Sequence, residues 1–287
     1  MASASGITLI SENEKNPLET TTFGVGELII DAIKRGCRRF IVGIGGSATN
    51  DGGSGMLAAL GYEFLDKNGT HISLGAKGLQ VLDKIKTDRV LPELKECEFL
   101  IACDVTNPLC GENGCSAVYG PQKGATPDMI RNMDIWLENY ADIVKTVSSK
   151  ADKNYAGSGA AGGLGFAFLS FTNATLKSGI QIILDEINIE TDIKNADIVV
   201  TGEGRLDSQT VQGKAPIGVA KLAKKYGKKV VAFSGCVTGD SEVCNEHGID
   251  AFFPILRSVT TLEEALDTKK AYENLTATAY QVFRLLI

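Results

Sequence analysis

Apolar positions along the chain switch repeatedly between helical and strand spacing. In TTTFGVGELIIDAIKRG, threonines stand where a helix cap belongs and Leu28, Ile29, Ala32 and Ile33 fall on one helical stripe. Basic residues occupy its last turn and Gly36 follows as the stop. RRFIVGI then reads as a short buried strand, followed by a glycine-rich stretch and by SGMLAAL, a helix halted at Gly61. This strand, loop, helix order returns at ECEFLIACDVTNP, whose apolar run ends in Asp104, Thr106 and Asn107, and again at ADIVVTGEGRLDSQTVQGKAPIGVAKLAKKYGKKVVAFSGC. The latter predicts a strand, a polar loop, a helix with Pro216 in its first turn and Gly227 past its end, and a second strand. NEHGIDAFFPIL adds one more strand. SVTTLEEALDTKKAYENLTATAYQVFRLL predicts a long closing helix opened by a capping box of Thr260 with Glu263.

In PDMIRNMDIWLENYADIVKTV, the residues Ile130, Met133, Ile135, Trp136, Leu137, Ile143 and Val144 predict a core-facing helical stripe, which makes Trp136 a core residue rather than a ligand platform. Strands alternating with helices predict an α/β protein with largely parallel sheets and a Rossmann-like C-terminal unit. The 287 residues suffice for two α/β domains. No charged or proline-rich linker separates them, so interleaved boundaries are expected: 1–40 with 186–287 in the Rossmann-like domain, and 41–185 in the second.

Composition narrows the function. A net charge of -6 speaks against nucleic acid, whose binding rests on a basic surface. No apolar run approaches the ~18 residues that span a bilayer, and MASASGITLISENEK lacks the basic region of a signal peptide, so no membrane partner and a cytoplasmic location are expected. Seven scattered cysteines, an odd number, read as reduced thiols, and Cys110 and Cys115 have no second pair at zinc spacing. With only His71 and His247, both expected in surface loops, a Ser-His-Asp or Cys-His machine is disfavoured and proton transfer falls to carboxylates.

Ligands of open parallel sheets bind beyond the carboxyl ends of the strands, where loops and helix N-termini present free N–H groups. Three loops answer that description. In GGSATNDGG, Gly45 and Gly46 let backbone approach a ligand, and Ser47, Thr49, Asn50 and Asp51 supply more polar groups than a plain turn needs. In CDVTNP, Asp104 ends an apolar strand, where a cap or turn role serves as well as a chemical one. TGEGRLDSQTVQGK gathers Glu203, Arg205, Asp207, Ser208, Gln209 and Lys214, suited to carboxylates, phosphates or magnesium, or else to a solvated loop of mutually neutralising charges. GSGAAGGLG, containing Gly159, fits either an anion nest or tight helix packing. No G-x-x-x-x-G-K-[ST] occurs. Gly43, Gly45 and Ala48 match G-x-G-x-x-A, with Glu63 or Asp66 at ribose distance, but TNDGG interrupts the helix this fingerprint requires.

GIGGSATNDGGSGMLAALG, ACDVTNPLCGENG, YGPQKGA, GSGAAGGLG, LKSGI and VVTGEGRLDSQTVQGKAPIGVA, in this order through nearly the whole chain, together resemble the glycerate kinase family of bacterial glycerate and glucarate metabolism. The resemblance implies ATP-dependent phosphorylation of D-glycerate, most often to 2-phosphoglycerate, with Mg2+, in two α/β domains around a cleft. The composition of the loops, set against that chemistry, assigns Asp104 or Asp207 the hydroxyl proton or magnesium, and Arg205 the glycerate carboxylate or the transferring phosphate. Lys214 joins the catalytic set. Gly45, Gly46, Ser47, Thr49, Asn50, Asp51, Asn107, Gly159, Glu203 and Ser208 are expected to bind substrate or nucleotide. Phosphoryl transfer asks chiefly for positioning and charge neutralisation, which these residues supply without histidine.

The departure is at the front: the APDSFK-type and DGGEGT motifs of the family do not occur, and Met1 aligns with a normally internal methionine. The expectation is that a sheet strand and an active-site lysine are absent, that the chain alone is a poor kinase, and that an exposed sheet edge recruits another copy or a complementing N-terminal segment. The rival readings are an NAD(P)-dependent oxidoreductase of a small hydroxy acid, resting on Gly43, Gly45 and Ala48, and a non-catalytic binding remnant.

Overall fold

In the computed structural model, which describes residues 1–286, the β-branched and aromatic run RFIVG forms β1 (Arg39–Gly43). β2 (Glu63–Leu65) and β3 (Lys84–Lys86) pair as an antiparallel ribbon. β4 (Glu98–Ala102) and β5 (Asn173–Lys177) join β1 in a parallel sheet of order β1-β4-β5. β1 is an edge strand, not the buried strand its apolar run suggests: Arg39, Ile41 and Gly43 are exposed, Ile41 at 50%. Composition alone does not place a strand at the centre or the edge of a sheet.

The chain divides into two compact units, Met1–Gly179 and Ile180–Ile287. In the first, the helix Phe23–Lys34 buries Val25, Ile29 and Ile33 in the same core as Phe99 and Ile101, while Leu28 faces solvent. It approaches the helix Ser54–Ala59 so closely that a Cβ on Gly26 would lie 2.5 Å from the Met56 carbonyl oxygen. Residues 1–40 therefore belong to one unit with 41–179, whereas the expectation grouped them with 186–287. An amphipathic stripe announces that a helix is packed, not which sheet it packs on.

The helix Pro127–Val147 is capped by Thr126, whose hydroxyl accepts the Met129 N–H. It buries Met133, Leu137, Tyr140, Ala141 and Val144, with Trp136 partly buried against the same core. Ile135 lies off the stripe and is exposed.

In the second unit, β6 (Ile198–Leu206), β7 (Lys229–Val237) and β8 (Ala251–Pro254) form a parallel sheet of order β6-β7-β8, with the helix Ala215–Lys225 as crossover and Gly227 in left-handed backbone just past it. β6 runs farther than the polarity of its residues suggests: Glu203 pairs with Ser234 and Arg205 with Cys236. Much of the expected polar loop is thus strand. Bare backbone makes this fit, since a Cβ on Gly202 would lie 2.2 Å from the Phe233 carbonyl oxygen. The closing segment is two helices, Leu262–Ala265 and Thr268–Leu286, and the capping box is Thr261 with Glu264, one residue later than predicted. No helix among the described residues is long and apolar enough to cross a membrane.

Candidate functional site

A cavity of about 340 Å³ lies beyond the carboxyl ends of β1 and β4. Ile44 to Ser47 after β1, Ala102 to Val105 at the end of β4, and Tyr119, Gln122 and Lys123 form its walls, with Ala160, Ala161 and Ile7. A larger hollow of about 610 Å³ sits by Leu94, Lys95 and Asn173, at the amino ends of β4 and β5. The smaller one has the position that open parallel sheets reserve for ligands, and it alone of the two carries both a carboxylate and an ammonium.

Gly46 takes left-handed backbone (φ 71°), and the loop is held by Ile7 N–H donating to the Gly46 carbonyl (2.9 Å) and Ala48 N–H to the Ser5 carbonyl (3.0 Å). Gly45 has neither a positive φ nor a neighbour within 4 Å of a would-be Cβ. Neither backbone nor packing asks for glycine there, so its bareness leaves room in the cavity. Asp104 is exposed, and its Oδ1 accepts the Gly179 N–H at 2.9 Å.

The next three loop residues behave differently. Thr49, Asn50 and Asp51, expected to meet substrate, are fully buried and are not among the residues lining this cavity. Asp51 accepts five hydrogen bonds, from Thr21 and Thr22 hydroxyls and from the N–H groups of Thr22, Gly53 and Gly55. Burial pushes its carboxyl above the usual range, with the bonds from Thr22, Gly53 and Gly55 pulling it down. It ties the starts of helices Phe23–Lys34 and Ser54–Ala59 together. Asn50 donates to Ser116 Oγ at 2.8 Å.

Two further predicted residues act at one remove. Asn107 accepts a hydrogen bond from the Tyr119 hydroxyl (2.6 Å) and donates to the Asn113 carbonyl (2.8 Å), so it positions Tyr119 in the wall. Gly159 serves packing: a Cβ would lie 2.2 Å from the Pro108 carbonyl oxygen. Beside it, Ala161, Gly162 and Gly163 are consecutively left-handed (φ 53°, 67° and 92°), a conformation costly only for Ala161, which lines the cavity.

Lys123 is the residue that sequence reasoning passed over. It closes the turn Pro121–Lys123, ahead of Gly124 at φ 88°, and is 1% exposed, with Nζ donating to the Thr49 carbonyl at 2.6 Å. Burial pushes its ammonium down to about 8, against the pull of Cys115 and Asp51. The available signal was a lysine inside YGPQKGA with proline and glycines on either side.

In the second unit, Thr210 Oγ1 lies 2.6 Å from Glu203 Oε1 and 3.2 Å from Asp207 Oδ1. Lys214 Nζ is 3.4 Å from Asp207 and 3.9 Å from Glu203, and Arg205 Nε is 3.5 Å from Asp207. Burial opposes the charge on Asp207, yet the Lys214 ammonium and the Thr210 hydroxyl hold its carboxyl below the usual range. Ser208 N–H donates to Asp240, a partner the sequence did not suggest, whose carboxyl its bonds from Ser208 and Thr238 hold at about 2. Glu203, Arg205, Asp207 and Lys214 therefore form one cluster, as their crowding in sequence suggested. No group of three or more metal-ligating side chains exists among the described residues.

The dinucleotide fingerprint fails on geometry, since the helix after β1 begins only at Ser54, behind Gly53 in left-handed backbone, and not at Gly45.

Residues 1–287 match the family model described as the glycerate kinase family. A glycerate kinase of Haemophilus influenzae is 47% identical over 286 residues, covering 100% of this chain and 75% of its own length. The glycerate 2-kinase of Escherichia coli K12 is 48% identical over 275 residues, 96% of this chain and 72% of its own. A crystal structure of a Salmonella typhimurium LT2 protein, described as a glycerate kinase 2, superposes with a TM-score of 0.83 at 43% identity, covering 98% of this chain and 75% of that one. The chain belongs to the glycerate kinase family.

Proposed function

We propose that the chain is a kinase that transfers the γ-phosphoryl group of ATP to the 2-hydroxyl of D-glycerate. The observation that carries this reading, beside family membership, is Asp104: an accessible carboxylate at a strand end, in a cavity of small-ligand size next to the vacant space at Gly45. The hydroxyl oxygen attacks the γ-phosphorus while the bond to the ADP oxygen breaks, Asp104 takes the hydroxyl proton, and ADP leaves with 2-phosphoglycerate. Arg205 and Lys214 supply positive charge for phosphate oxygens, and Ser208 lies in the same stretch. Glu203 and Asp207, which share the Thr210 hydroxyl, suit magnesium, since that ion takes one or two carboxylates and fills its shell with water and phosphate. Bound there it would neutralise phosphate charge. Asp104 has no acidic neighbour among the cavity-lining residues, so the proton-accepting role suits it better than the metal.

ATP as donor supports a cytoplasmic place of action. The open edge of β1, with Ile41 half exposed, supports pairing with a strand from another copy or another polypeptide. The test of the main reading is purified chain with D-glycerate, ATP and magnesium, followed by coupled ADP release and phosphorus NMR of the product. Glycerate-dependent ADP with a 2-phosphoglycerate resonance supports it. ADP release indifferent to glycerate, or a 3-phosphoglycerate product, overturns it.

A further inference from the structure

A lysine in a protein interior needs a reason, because a buried ammonium is costly unless its N–H groups and its charge are answered. Lys123 is answered only in part. Its ammonium has three N–H groups, and among the described residues its one side-chain hydrogen bond goes to the Thr49 carbonyl. Asp51 is the buried carboxylate nearby, but its two oxygens already take five other donors, so it acts on Lys123 through space and not as a hydrogen-bonded partner. The other titratable group acting on it is the Cys115 thiol, which burial pushes up to about 11 and so keeps neutral, while Asp104 lines the same cavity.

The cavity wall therefore carries one cationic side chain, Lys123, and one anionic side chain, Asp104. A small 2-hydroxy acid has the matching polarity, a carboxylate and a neutral hydroxyl. We infer that Lys123 is the group that binds the carboxylate of the hydroxy-acid substrate, turning its hydroxyl toward Asp104. This rests on the reading of glycerate as acceptor. In the opposite orientation, substrate carboxylate would face Asp104, like charge on like, while a buried ammonium would face a hydroxyl. Charge thus sets orientation as well as affinity, and makes the site reject neutral polyols such as glycerol. The Thr49 carbonyl holds the ammonium in place, which accounts for a loop residue fully buried without touching the cavity.

The test compares wild type with Lys123→Met and Lys123→Arg, reading the KM for D-glycerate and for ATP separately, with calorimetric titration of D-glycerate alone. The expected result is a rise of about 10- to 100-fold in the glycerate KM and dissociation constant for Lys123→Met, with the ATP KM within about twofold. Equal losses for both substrates, or unchanged glycerate binding in a folded variant, overturn the inference. Should Lys123→Met fail to fold, the wild type serves: glycerate affinity that weakens above pH 8 supports the assignment, and affinity flat from pH 7 to 10 overturns it. The calorimetric arm separates the two readings. Wild type that binds glycerate through Lys123 but transfers no phosphate sinks the kinase reading alone, and wild type that binds no glycerate sinks this one.

Discussion

Thr22 and Asp51 are joined twice, the threonine N–H donating to the carboxylate at 2.8 Å and its hydroxyl at 2.9 Å, in a place without solvent exposure. The same hydroxyl oxygen accepts the Met56 N–H at 2.9 Å, so one threonine and one aspartate stitch two helix starts together. Asp51→Ala should cost about 3–5 kcal/mol in chemical denaturation, since it leaves several buried donors without an acceptor. A loss under about 1 kcal/mol would show that water replaces the carboxylate.

Asp104→Asn keeps the shape of the cavity and removes the proton acceptor. Turnover should fall about 10²- to 10⁴-fold, with the ATP KM unchanged and the melting temperature within a degree or so of wild type, because this side chain is exposed and its bond from the Gly179 N–H can be kept by the amide oxygen. Steady-state kinetics and a thermal melt check both halves.

Two glycine replacements should separate ligand space from packing. Gly45→Ala adds a methyl group where nothing lies within 4 Å, so stability should hold while the glycerate KM rises. Gly159→Ala sets a methyl group 2.2 Å from the Pro108 carbonyl oxygen and should lower stability by about 1–3 kcal/mol. Parallel denaturation and kinetic measurements decide it.

Lys123 predicts opposite pH slopes. Its folded value of about 8 lies below the ordinary 10.5. Between these values the unfolded chain holds a proton that the folded chain has released, so folding stability should rise with pH across that window relative to Lys123→Met. The same deprotonation removes the cation, so glycerate binding should weaken over the same range. Denaturation and calorimetry at matched pH check the pair.

Asp207 should remain ionised to lower pH than an ordinary aspartate, through Lys214 and Thr210. Replacing Lys214 with Met should raise its titration midpoint, read by carbon NMR of the side-chain carboxyl. An unmoved midpoint would assign the effect to the bonds from Thr210 and Gln209.

Much of this arrangement is legible in the chain, for reasons that differ by residue. The strand, loop, helix order and the polar strand ends point to the carboxyl edge of a parallel sheet, so Gly45, Gly46, Ser47 and Asp104 are found by position. Asn50 and Asp51 lie away from the cavity wall, a placement sequence does not reveal because a short polar side chain that binds a ligand and one that ties the fold together look alike. Lys123 escapes notice because lysine is so rarely buried that surface is its default reading. Glu203 and Arg205 read as loop because β propensity weighs against charge, whereas pairing with Ser234 and Cys236 overrides it.

The left-handed run at Ala161, Gly162 and Gly163 constrains how this protein can be altered. A Cβ on Gly162 would sit 2.1 Å from the Thr49 carbonyl oxygen, the very atom that anchors the Lys123 amine. Engineers hunting for thermostability by swapping glycines for better helix formers would here be pushing on the substrate's seat from behind. Robustness has to be sought at other positions, and a sluggish but sturdier variant is the natural product of ignoring that.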